Sequence, residues 1–255
     1  MKKDVNDIPV FVKELFILTP FQHLLGTFFL KVLNKLKVEG CEVLKQLPDA
    51  NVLFVSNHQT YFMEGIALMV EFDHIRQPVK HWCWKAGTGN CYYIVALETA
   101  KIKGWIHRVF EWGGAVTVNR TWKRADRQLG ACEVSIEQVE RDQRKVISAL
   151  KDGWVITFPQ GTTTPFSRGR KGTARIIKES KCTVVPVVVD GFSKAFHKSK
   201  PCWPVRLNTC LKIRFNTPMD INYDDSEETI INQIMDAIEQ SDKFRPESDT
   251  ELIAV

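Results

Sequence analysis

Apolar and polar positions along the chain fall into compact runs and spaced repeats. The compact runs cover residues 52–55, 154–158, 184–189 and 211–215, with a shorter one at 116–118 after Gly113 and Gly114. Each is short, rich in Val, Ile, Leu or Phe, and bounded by polar or turn residues, which predicts buried strands. Between them lie helix-spaced segments at 65–72, 134–150, 172–178 and 227–240. The second carries Val134, Ile136, Val139, Val146, Ile147 and Leu150 among charges and stops at Gly153, as an amphipathic helix does. Strands alternating with helices predict an α/β fold with a mixed, partly parallel sheet flanked by helices. No internal repeat is present.

Residues 10–38 follow a different pattern. They are dense in Phe and Leu but cut by Lys13, Glu14, Pro20, Gln22 and His23. No window reaches the roughly 18 uninterrupted apolar residues of a spanning helix. Pro20 ends or kinks a first helix. Beyond it, Phe21, Leu24, Leu25, Phe28, Phe29, Val32 and Leu36 recur at helical spacing, with Lys31, Lys35 and Lys37 on the other side. An N-terminal amphipathic helical segment is therefore expected over residues 1–38. It suits a bilayer interface, and equally a helix packed on the protein's own core. Trp82, Trp84, Trp105 and Trp112, with Tyr92 and Tyr93, fit interfacial anchors or core positions in the same way.

The net charge of +5, from 35 basic and 30 acidic residues, says less than its distribution. Basic residues cluster at 120–127, 168–171 and 194–200, which suits phosphates or anionic headgroups. Aromatics are not interleaved with them as a base-stacking platform requires, so no nucleic-acid partner is expected. The seven cysteines are irregularly spaced with no C-x-x-C pair, so neither a zinc site nor a disulfide framework is expected. The first residues lack the pattern of a secretory signal, and reduced thiols in a cytoplasmic setting follow as the expectation. No Gly-rich phosphate loop occurs. Polar residues take over from about 241, which predicts a C-terminal tail over 241–255.

Candidate chemistry begins at Asn57-His58-Gln59-Thr60-Tyr61-Phe62-Met63-Glu64-Gly65. A histidine just past a buried strand, with a carboxylate six residues on at a helix start, can form a dyad. Glu64 would accept the Nδ1 proton and leave Nε2 of His58 to take a proton from a hydroxyl. Three further segments follow in order: Gly114-Ala115-Val116-Thr117-Val118-Asn119-Arg120, then Phe158-Pro159-Gln160-Gly161-Thr162-Thr163, then Val184-Val185-Pro186-Val187-Val188. This ordered set resembles the four blocks of the glycerolipid acyltransferases, the lysophosphatidic acid acyltransferase group, over about half the chain. The first block of that family reads N-H-x-[ST]-x-x-D. Here Met63 stands at the acid's position and Glu64 follows it, a shift that a one-residue bulge would absorb. The third block reads F-P-E-G-T-R, where this chain has Gln160 and Thr163.

The resemblance implies an acyltransferase domain over 39–240 with His58 and Glu64 as catalytic residues. It implies transfer of a fatty acyl group from acyl-CoA or an acyl-carrier protein to the hydroxyl of a lysophospholipid such as 1-acyl-glycerol-3-phosphate. Arg120 would hold the acceptor's phosphate through a bidentate guanidinium. The turn at Gly161 and Thr162 would aim backbone N–H groups at the oxyanion. Arg168, Arg170 or Lys171 would stand in for the cation missing at Thr163. The segment from Cys91 to Leu97 would line the acyl-chain tunnel. The only co-substrate is the acyl thioester, with no other cofactor and no metal. The partners are a membrane lipid and the thioester donor, at the cytoplasmic face of a membrane as a peripheral or monotopic protein. The altered blocks leave a lyso-aminolipid acceptor, or an inactive lipid-binding relative, as alternatives.

Overall fold

A computed structural model describes residues 26–76, 91–96, 114–119, 135–198, 200 and 203–246. Seven strands form one sheet: β1 (Lys35–Glu39), β2 (Val52–Ser56), β3 (Cys91–Ala96), β4 (Ala115–Val118), β5 (Trp154–Thr157), β6 (Thr183–Asp190) and β7 (Cys210–Phe215). Their order is β1-β7-β6-β2-β5-β3-β4. Every pair is parallel except β6–β7. The helices are α1 (Cys41–Leu44), α2 (Met63–Arg76), α3 (Ile136–Asp152), α4 (Lys171–Ser180), α5 (Phe192–Ala195) and α6 (Glu227–Ala237). The chain forms the mixed α/β sheet expected from the alternation, and the sheet expected to be partly parallel is mostly so.

Strand β2 shows why. All five of its residues are buried, as a strand covered on both faces requires. Leu53 and Val55 enter the core beneath α3, α4 and α6. Val52 and Phe54 enter the opposite core, beneath α2. On that side Phe54, Phe72 and Trp154 pack with ring centroids 4.4–5.2 Å apart. The Trp154 indole N–H finds the Pro48 carbonyl at 2.8 Å, so its polar atom is satisfied despite burial. Helix α3 is capped by Ser135, whose hydroxyl accepts from Gln138 N, and buries Val146, Ala149 and Leu150 as a single stripe.

Two expectations need correction or extension. The helical reading of the N-terminal segment does not extend to residue 38. A π-helical turn at Phe28–Val32 ends at Asn34, and β1 follows with strictly alternating burial. Asn34 makes the break: its amide donates to Phe29 O, and its carbonyl oxygen accepts from Thr209 N. Leu36 and Val38 satisfy a two-residue period as well as a helical one, and pairing with β7 decides between them. The earlier part of that segment lies outside the described residues, as do all four tryptophans between 82 and 112. Within β6, Pro186 is paired with Val55 of β2. The β6–β7 ladder begins at Val187, and just beyond it the Pro186 carbonyl accepts from Asn216 N at 3.0 Å. Finally, the tail is ordered at its start: Asp242–Phe244 form a 3₁₀ turn and the Arg245 guanidinium lies over the Phe166 ring.

Candidate functional site

The site forms where parallel strands end, the usual place for ligands in open α/β sheets. Strand β2 stops at Ser56, and residues 57–62 make a non-helical turn before α2. Two side-chain amides, Asn57 buried and Gln59 half-buried, pin that turn to β6. Asn57 Nδ2 donates to Val189 O at 2.9 Å, and Asn57 Oδ1 accepts from Val189 N at 2.8 Å. Gln59 donates to the same carbonyl and accepts from Phe192 N at the start of α5.

Between these two amides stands His58. Its Nδ1 lies 2.5 Å from Glu64 Oε1. Glu64 is fully buried in the first turn of α2. Its Oε1 also accepts from Gln59 N at 2.8 Å and Thr60 N at 3.0 Å, and its Oε2 accepts from the Thr60 hydroxyl. Burial alone would push this carboxyl up. The His58 charge and the hydrogen bonds from His58 and Thr60 outweigh it and hold the carboxyl below its ordinary range. An ionised Glu64 is an acceptor, so it selects the tautomer of a neutral His58 with the proton on Nδ1 and the lone pair on Nε2. The imidazole stacks on Phe158, at 4.3 Å between centroids, which fixes the ring plane.

His58 opens on a cavity of about 440 Å³. One wall is apolar, from Ile94, Val95 and Ala96 of β3 with Val139 and Val146 of α3. A second part of the lining is cationic, from Arg170, Lys171 and Arg175 at the head of α4. Asn119 and Asp142 line it as well. Asp142 accepts from the backbone and side-chain amides of Asn119 and from Lys145, which tie the end of β4 to α3. Burial pushes the Asp142 carboxyl up, but those hydrogen bonds and the Lys145 charge together hold it low.

The family profile described as Acyltransferase matches residues 35–190. The chain belongs to the acyltransferase family. No curated protein matches it. Among solved structures, the crystal structure of the 1-acyl-sn-glycerophosphate (LPA) acyltransferase PlsC from Thermotoga maritima is similar in fold. It aligns with a TM-score of 0.56 and 16% identity, over 96% of this chain and 95% of that one.

In this acyltransferase, the residues expected from sequence are only partly assembled at one place. His58 and Glu64 meet across the shifted spacing, and Arg170 and Lys171 line the cavity. The segment from Cys91 lines it too, through Tyr93 to Ala96; Leu97 lies outside the described residues. Arg120 also lies outside the described residues. Arg168 is not a wall residue. It is exposed and pairs with Glu228 at 2.9 Å, and Lys171 shares that partner at 3.2 Å. Of the third-block pair, Gly161 lines the cavity while its N–H closes the Phe158–Gly161 turn onto Phe158 O at 2.9 Å, and Thr162 is not among the lining residues. Gln160 is buried, and its amide donates to Ser167 O and Gln240 Oε1, so it fastens the turn to the C-terminal segment.

Sequence reasoning did not single out Phe158 as the stacking partner or Arg175 as a third wall cation. The Arg175 signal was available: it lies four residues after Lys171 on one helix face. No described cysteine lines the cavity, and burial pushes the Cys182 thiol up to about 11.

Asn57 supports an expectation on stability. Asn57→Ala leaves the Val189 N–H short of a partner inside the protein, while the Val189 carbonyl keeps its bond from Gln59. It should cost about 1–3 kcal/mol, read as a lowered urea midpoint with an unchanged slope. Activity should fall with it, because the turn carrying His58 loses one of its two ties to β6.

Proposed function

We propose that the chain moves a fatty acyl group from an acyl thioester to the hydroxyl of a phosphate-bearing lysolipid, with His58 as general base. The observation that carries this reading is the dyad opening on a cavity with one apolar and one cationic wall. An acyl chain fits the first wall and an anionic headgroup the second. The acceptor hydroxyl gives its proton to His58 Nε2 as its oxygen attacks the thioester carbonyl. Glu64 keeps the imidazole in the required tautomer and stabilises the imidazolium. The C–S bond then breaks, and the imidazolium proton accompanies the sulfur as free thiol. The base acts on the acceptor directly, so the route needs no acyl-enzyme. Arg170 and Lys171, with Arg120, hold the phosphate. The exposed pair of Lys171 with Glu228 is the kind of contact a phosphate displaces readily.

The reaction is read as free thiol released from palmitoyl-CoA or palmitoyl-carrier protein, with and without lysophosphatidic acid. Release that depends on the acceptor is expected. The combined change Arg170→Gln with Lys171→Gln should raise the acceptor KM roughly tenfold or more with a smaller change in kcat, as loss of uniform binding does. Activity with a lyso-aminolipid and none with lysophosphatidic acid would move the headgroup assignment. Silence with every donor and acceptor would leave an inactive lipid-binding relative.

No helix among the described residues is long and apolar enough to cross a membrane. With a lysolipid substrate, and with the reduced cysteines expected of a cytoplasmic setting, we propose a peripheral or monotopic position at the cytoplasmic face of a membrane.

A further inference from the structure

Among the described residues, seven large apolar side chains are exposed, and five of them gather in two neighbouring segments: Phe28 and Val32, and Trp203, Val205 and Leu207. The segments are tied together. Asn208 N donates to Leu33 O at 2.7 Å, Thr209 N to Asn34 Oδ1, and Lys35 N to Thr209 O. The second segment is held in shape, since Val205 N and Arg206 N both donate to Ala195 O and His197 N donates to Trp203 O. Every residue from Trp203 to Asn208 is nevertheless exposed. A loop braced at its base that still presents Trp, Val and Leu to solvent carries an uncovered apolar surface.

The charge along these two segments is basic, with one carboxylate close by: Glu71 of α2 pairs with Lys31 at 3.0 Å. The sequence holds no acidic residue from Leu15 to Val38, and none from Gly191 to Met219. Over the second stretch Lys194, Lys198, Lys200 and Arg206 are all exposed. The Lys200 ammonium lies 5.4 Å from the centre of the Trp203 ring. Apolar tips ringed by lysine and arginine match an anionic bilayer surface: the tips enter the acyl boundary and the cations meet the headgroups.

Topology puts this surface on the catalytic edge of the sheet. Strands β2 and β6 run side by side and end at Ser56 and Asp190, so the His58 turn and α5 leave from the same edge. Strand β7 is antiparallel to β6, with Asp190 opposite Lys212, and therefore starts at that edge. Strand β1 is parallel to β7, with Lys35 opposite Cys210, and starts there too. Both apolar segments immediately precede these strand starts.

We infer that the Phe28–Val32 turn and the 203–207 loop form one docking surface for an anionic lipid bilayer, which brings the His58 edge against the membrane. This deepens the lysolipid reading and rests on it only for its biological purpose. Docking itself is a separate property.

The test uses the full chain and two variants, W203S/V205S/L207S and K198E/K200E/R206E. It measures co-sedimentation with phosphatidylcholine vesicles with and without phosphatidylglycerol. Wild type should prefer the anionic vesicles and lose binding as salt rises. Each variant should bind roughly tenfold more weakly or worse while keeping the wild-type melting transition. Thiol release from short-chain substrates dissolved as monomers should be unchanged in both variants, whereas turnover of vesicle-borne acceptor should fall. Vesicle binding equal to wild type in both variants would overturn the inference. So would a wild-type dimer that becomes monomeric in the serine variant, which would assign the surface to a second copy of the chain. Absence of turnover in all proteins, with the vesicle result as expected, would remove the proposed reaction and leave the docking surface standing.

Discussion

Replacing His58 with alanine should lower kcat/KM by roughly 100- to 10,000-fold, the usual worth of a positioned general base. The fold should survive, for a reason visible around Glu64. The buried carboxylate has four donors: His58 Nδ1, Gln59 N, Thr60 N and the Thr60 hydroxyl. Three of them remain in the variant. The imidazole itself is partly exposed and packs on one ring, so its removal opens little buried volume. Circular dichroism and a melting curve close to wild type, beside near-silent thiol release, are the expected results. A variant that kept more than about a tenth of the rate would remove His58 from the chemistry.

Glu64→Gln should produce the second large effect, on two readouts. Without the carboxylate nothing selects the Nδ1 tautomer or stabilises the imidazolium, and turnover should fall on the order of 100-fold or more. The stability readout depends on pH. Glu64 has a folded-state pKa held below its ordinary value of 4.5, so its contribution is complete above that value. The contribution is lost as the pH falls through the lower, folded value. The stability gap between wild type and Glu64→Gln should therefore be widest near neutral pH and narrow once the pH drops below about 4.5. A gap that stayed constant from pH 7 to 3 would mean that the Glu64 pKa is the same in the folded and unfolded protein, and one that shifted in favour of wild type on acidification would mean a carboxyl neutral in the fold. Glu64→Asp should not restore activity, because the acid sits six residues past the histidine and needs its second methylene to reach Nδ1.

The parts of this molecule legible in its sequence are those with one dominant period. Strands β2, β5 and β6 were readable because runs such as 52–55 and 184–189 are too short and too β-branched to serve as helices. Helix α3 was readable from its apolar stripe and Gly153. Strand β1 was not, because Leu36 and Val38 also continue the helical spacing of Phe28, Phe29 and Val32. Only the β7 partner and the Asn34 side chain, bonded to Thr209, decide the matter. At the site, the His58–Glu64 pair was legible from residue types and spacing. The cation distribution was not. Arg168 and Arg170 are two residues apart in the sequence, yet one points to Glu228 and the other lines the cavity, since α4 begins just beyond them. The use of the Gly161 amide inside its own turn was hidden for the same reason: a Pro-x-Gly motif shows that the chain turns, not which way its N–H groups end up facing.

The pairing of β1 with β7 also sets the timing of assembly. Asn34 and Thr209 are hydrogen-bonded partners separated by 175 residues. At synthesis rates of roughly 5–20 residues per second, the first strand waits about 9–35 s for its neighbour. Such distant contacts close late and slowly. The central strands and the His58 turn can therefore be in place while one border of the sheet is still open, and the last strand to emerge fastens the N-terminal segment to the body. The apolar tips at Phe28, Val32 and Trp203 come together only in that final closure. A nascent chain stalled before residue 209 would hold its dyad partners but lack the joined surface that meets the bilayer.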